Sequence, residues 1–161
     1  MYADRDYLFT LAEEYNDTVF NGRLPYITFF PLHTYSLGGI CTVDTGHYGE
    51  PYYLVGVSDY FDLTDRQVRQ ILLHELIHVY LHSTIGTEGL RHGRPFHREM
   101  DRVSRITGLD ITVRADVDGP KRHNFIKAWL KTGREEIIGL PDEAFADMPP
   151  LYSTEPLTWY G

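Results

Sequence analysis

A chain of 161 residues with ordinary hydrophobic content and a formal net charge of −8 suits one domain with a small appendage. The acidic balance disfavours a general nucleic-acid-coating role, and no apolar run approaches the ~18–20 residues that span a bilayer. The single cysteine, Cys41, excludes an internal disulfide and a cysteine-based zinc cluster, and fits a reducing, cytoplasmic compartment.

The N-terminal stretch is charged and periodic, which predicts a helix over 4–20 rather than a secretory leader. Tyr7, Leu8, Leu11, Tyr15 and Val19 share its apolar face, and Asn21-Gly22 ends it. Residues 26–31 read as a short strand. Residues 38–44 and 53–59 read as two more, joined as a hairpin by the Gly-containing loop that holds His47. Thr64 followed by Gln67 makes a capping box, and Gly86 a stop, for one long helix between them. A loop over 87–93 follows. Pro95 opens a further helix over 95–107, with Phe96, Met100 and Val103 inward and Gly108 as its stop. Residues 111–114 suggest a brief strand, and 124–139 a hairpin turning at Thr132-Gly133. The end, rich in Pro and aromatics, has no periodicity.

The long helix carries the chemistry. It is apolar nearly all round (Val68, Leu72, Leu73, Leu76, Ile77, Val79, Leu81), which marks a core helix. Its polar exceptions, His74, Glu75, His78 and His82, fall in one stripe. Burying them without partners would cost several kcal/mol, on the order of the penalty for unpaired polar groups. His74-Glu75-Leu76-Ile77-His78 is an H-E-x-x-H motif. At about 100° per residue the two histidines lie roughly 40° apart, one turn from each other, so both can reach one ion. Glu75 is placed to touch a water on that ion rather than to ligate it. Such a motif arises by accident roughly 0.02 times in a chain of this composition, so chance is a poor explanation.

A catalytic zinc site needs a third protein ligand and leaves a fourth position open. His92, His97 and Glu99 are the candidates in the following segment. His82 continues the series but lies roughly 12 Å along the axis from His74, too far to share the ion, and reads as a satisfied or cleft-wall histidine. His47 reads as a surface residue. A strip holding Lys121, Arg122, Lys127, Lys131 and Arg134 beside Phe125 and Trp129 reads as a solvated face, with a small nucleic-acid patch as the weaker alternative.

The run LLHELIHVYLH, a short loop, and then HGRPFHREMDRVSRITGLDIT resembles the SprT-like metalloproteases. The likeness extends upstream through FNGRLP, GGICTV and YLVGVSDYFDL, covering roughly residues 5–114. The resemblance implies a zincin-type protease domain, with His74, His78 and His92 as zinc ligands and Glu75 as general base. Many members also carry a C-terminal four-cysteine zinc ribbon, which a chain with Cys41 alone cannot form.

The expected fold is α+β: a small, mostly antiparallel sheet packed on the motif helix with two flanking helices. The protease domain takes residues 1–115, and 116–161 form an appendage with a short hairpin. The expected function is zinc-dependent hydrolysis of peptide bonds, one Zn2+ per chain, in which a water activated by the ion gives its proton to Glu75. The substrate is a protein or peptide lying extended along a sheet edge. The rivals are a catalytically inactive, zinc-braced module that binds protein or DNA, and a metal-dependent hydrolase of a non-protein substrate.

Overall fold

The computed structural model describes residues 4–32, 38–59 and 63–113; the hairpin expected at 124–139, the basic strip at 121–134 and the appendage at 116–161 lie outside these residues. Among the described residues, three α-helices and a three-stranded sheet make an α+β fold. Helix α1 spans Arg5–Thr18. It begins where the Asp4 carboxylate accepts from the Tyr7 amide at 2.7 Å, satisfying one of the first-turn N–H groups. Leu8, Leu11, Ala12 and Tyr15 turn into the core, as the 3.6-residue spacing requires.

Strands β1 (Ile27–Leu32), β2 (Gly39–Thr45) and β3 (Pro51–Ser58) follow. β2 and β3 form the expected antiparallel hairpin, from Gly39↔Val57 to Thr45↔Pro51. Its loop closes with the Gly46 amide donating to the Glu50 carbonyl at 2.7 Å, and Gly49 takes the left-handed conformation that the turn needs. β1 then joins the other edge of β3 in parallel, Ile27↔Tyr53 to Leu32↔Ser58. The sheet is therefore mixed, in the order β1-β3-β2. Central β3 buries Tyr53, Val55 and Val57, as a strand covered by neighbours on both edges should.

Helix α2 (Asp65–Ile85) lies against β2 and β3. Both halves of the Thr64/Gln67 capping box are made, at 2.9 and 3.2 Å. Val68, Leu72, Leu73, Leu76, Ile77 and Val79 are all fully buried. Each contributes roughly 1.5–3 kcal/mol by leaving water. At its N-terminal end Asp65 takes the Tyr7 hydroxyl of α1 and, at 2.8 Å, the Arg69 guanidinium, which also donates to the Tyr15 hydroxyl at 3.0 Å. Gly86, with φ of 78°, stops α2.

The expected loop over 87–93 is in its first half a 3-10 helix, Gly86–Leu90. It turns back on α2 so tightly that a Cβ at Gly89 would sit 2.4 Å from the Leu81 carbonyl carbon. Helix α3 (Arg94–Thr107) starts one residue earlier than expected, buries Phe96 and Val103, and ends at left-handed Gly108.

Residues 111–113 are not a strand. Burial nevertheless alternates along 109–113. Ile111 is buried and Leu109 and Val113 pack on the core, while Asp110 and Thr112 face out. No strand runs beside this segment among the described residues. Side chains of Gln70, Ser104 and His74 meet three of its backbone groups, the Asp110 carbonyl, the Ile111 amide and the Thr112 carbonyl.

Candidate metal centre

The i, i+4 spacing puts His74 and His78 on the same side of α2, and the turn at Gly86–Leu90 brings the chain back so that His92 faces them. The Nε2 atom of His92 lies 3.1 Å from Nε2 of His78 and 3.2 Å from Nε2 of His74. These are the three residues that, among those described, offer convergent ligand atoms for a metal ion, all within 4.8 Å of one another. An ion with tetrahedral Zn–N bonds of about 2.0–2.1 Å would separate its ligand nitrogens by roughly 3.3–3.4 Å. The two spacings to His92 lie close to that value.

Hydrogen bonding aims the rings. Nδ1 of His74 meets the Thr112 carbonyl at 2.7 Å, and Nδ1 of His78 meets the Gly89 carbonyl at 3.1 Å. A carbonyl only accepts, so each Nδ1 carries the proton and each Nε2 presents a lone pair to the shared point. This outer anchoring through Nδ1 is how metal-ligating histidines are oriented. Burial favours the neutral form of His78 and of His92. The His78 pKa is pushed down to about 3, chiefly by desolvation. His92 is lowered by desolvation and by His97. Phe96, from the first turn of α3, backs all three rings at centroid distances of 4.8, 4.5 and 4.8 Å, lying nearly parallel to His78. It closes the far side of the cluster with an apolar surface.

Glu75 follows His74 on α2. It is 2% exposed, as buried as the core leucines beside it, and Oε2 has no hydrogen-bond partner among the described residues. Desolvation raises its pKa well above the ordinary carboxylate range. A buried carboxylate with an open lone pair is poised to accept a proton. The start of β2 makes room for it. A Cβ at Gly39 would stand 2.6 Å from Cγ2 of Ile71 and 3.1 Å from Oε1 of Glu75. Gly39→Ala is therefore expected to cost about 1–3 kcal/mol of stability, the scale of overpacking. It should displace the Glu75 carboxylate as well. A urea-denaturation midpoint equal to the wild type's would refute this. Cys41, two residues along β2, is also fully buried, and its thiol pKa is raised by burial and then by Glu75.

The remaining candidates stand apart from the cluster. Glu99 is held by the Arg102 guanidinium at 2.8–3.2 Å. His97 is exposed on α3, and His47 is exposed in the hairpin loop. His82 is satisfied by the Tyr53 hydroxyl, 2.8 Å from its Nδ1. Sequence reasoning missed the two carbonyl anchors, and it read Phe96 as a core residue only. The HG-x-x-F spacing holds the available signal for Phe96, since it puts an aromatic one helical turn from His92.

With this geometry in view, the comparisons with known proteins are informative. The family model described as the SprT-like family matches residues 8–115, which include all of the cluster. A curated relative, the DNA-dependent metalloprotease SPRTN of Bos taurus, is 35% identical over 91 residues, 53% of this chain. The match spans 17% of that protein's length.

Proposed function

The chain belongs to the SprT-like family, and from that premise we propose that it is a zinc metalloendopeptidase with His74, His78 and His92 as ligands and Glu75 as general base. One observation carries the reading: three imidazoles offer convergent ligand atoms, and the helix that supplies two of them also carries Glu75, a buried carboxylate with an unpartnered oxygen. An all-nitrogen set of three imidazoles suits zinc, and the bovine relative is a metalloprotease by its name. Zinc, when bound, supplies Lewis-acid polarisation of the scissile carbonyl and lowers the pKa of water.

The protein's own groups do the rest. Glu75 takes the proton of the attacking water and delivers it to the leaving amine. Burial raises its pKa, which makes the carboxylate a stronger base than one in water. Phe96 keeps water from the back of the cluster, and the Thr112 and Gly89 carbonyls hold two rings in the ligating tautomer. An intact Glu75 argues against a purely structural brace, which has no use for a carboxylate there.

The substrate is a peptide segment of a protein. The relative's name carries DNA dependence, whereas this chain's charge of −8 opposes broad attraction to a polyanion. Nucleic acid therefore enters the proposal as a secondary partner only. Among the described residues no helix is long and apolar enough to cross a membrane.

The purified chain is expected to hold about one zinc and to cleave an unfolded protein. Cleavage should stop on chelation and return with added zinc. A zinc-loaded chain that cleaves nothing would favour the braced binding module.

A further inference from the structure

The two ligands on α2 are anchored in different ways. His78 leans on the Gly89 carbonyl, inside a turn jammed against the α2 backbone. His74 leans on Thr112, in the segment that follows α3. A single hydrogen bond to a loose segment would let the ring swing, because an imidazole is located by two torsions and whatever its far nitrogen grips. Something must hold that segment.

Two side chains grip the peptide group between Asp110 and Ile111, two peptide units before the Thr112 carbonyl. Gln70, one turn before His74 on α2, donates through Nε2 to the Asp110 carbonyl at 3.1 Å. Ser104, on α3, accepts the Ile111 amide on its Oγ at 3.1 Å. Thr107 takes the Leu109 amide at 3.2 Å, and the Ile111 side chain is 3% exposed, so the segment is tied along its length. Neither Gln70 nor Ser104 belongs to the histidine cluster.

We propose that Gln70 and Ser104 are positioning residues of the metal centre, acting through the Thr112 carbonyl on the tautomer and aim of His74. The inference rests on the metal-centre reading above. It also makes the segment leading into residues beyond 113 part of the site's support.

The test uses the full chain and two readouts: zinc affinity by chelator competition, with the visible spectrum of the cobalt(II) form, and melting of the metal-free protein. Gln70→Ala and Ser104→Ala are each expected to weaken zinc several-fold. Together they should weaken it by about 10–100-fold, the scale of lost outer-shell partners, and perturb the cobalt spectrum. Ser104→Thr, which keeps the hydroxyl, should restore affinity. A merely structural role would lower the metal-free melting temperature and leave the affinity of the folded protein unchanged. That pattern, or a double variant with wild-type affinity and spectrum, would overturn the proposal. If the double variant does not fold, Gln70→Ala alone decides by the same two readouts. A wild-type chain that binds no metal would overturn the metal-centre reading itself and this inference with it.

Discussion

Glu75→Gln is expected to keep its fold and its zinc while losing at least ~10²-fold in peptidase rate, the usual scale for a positioned general base. The isosteric amide fills the same space against Gly39 and Ile71, so packing is preserved. It cannot accept the water's proton. The metal should stay because the convergent nitrogens belong to His74, His78 and His92. The metal-free proteins offer a second check. Burial raises the Glu75 pKa well above its ordinary 4.5. A carboxyl group whose folded pKa exceeds its unfolded one binds its proton more tightly when folded. The wild type therefore loses stability as pH rises above 4.5 toward the folded value. Replacing the carboxyl by an amide removes that loss. Metal-free Glu75→Gln should melt above the wild type at neutral pH, and the gap should close in acid. Equal cleavage by the two proteins would mean that Glu75 is not the base.

The parts of this site that were legible in the sequence are those governed by local periodicity. The Thr64/Gln67 box and Gly86 mark the ends of α2 because capping is decided within a few residues, and both were found as read. His74, Glu75 and His78 follow from helix spacing alone. The direction of β1 was not legible. A strand's own residues say which face is buried, not which neighbour it pairs with, and β1 lies parallel to β3 while β2 lies antiparallel. The segment at 109–113 shows the same limit more sharply. Its alternating burial was in the sequence, but the destination of its hydrogen bonds was not, since backbone carbonyls leave no sequence signature. Those carbonyls nevertheless set the aim of two of the three imidazoles. The contact of Gly39 with Glu75 was hidden for a related reason: it depends on how α2 docks on β2.

His92→Ala is expected to lower zinc affinity by more than ~10²-fold, whereas Glu99→Ala and His97→Ala should bind nearly as the wild type does. Two imidazoles from one helical turn approach an ion from one side. Tetrahedral coordination requires the third from elsewhere, and His92 is delivered by the reversal of the chain between α2 and α3. Its position is set on both flanks. The Leu90 side chain is buried before it, and Gly93 caps α3 after it, its carbonyl accepting the His97 amide at 3.0 Å. Phe96 packs on the ring itself at 4.8 Å. Glu99 has other work: its carboxylate receives the Arg102 guanidinium, which in turn donates to the Val19 carbonyl at 2.7 Å, linking α3 to the end of α1. Removing Glu99 should therefore show in melting temperature rather than in metal affinity. The pair is partly solvated, with side chains 30% and 17% exposed, so the loss should stay near about 1 kcal/mol. The decisive measurement is a zinc titration of the three variants side by side. Release of the metal by Glu99→Ala with retention by His92→Ala would make this a glutamate-ligated centre, and would require α3 to turn its Arg102-bound face inward when zinc binds.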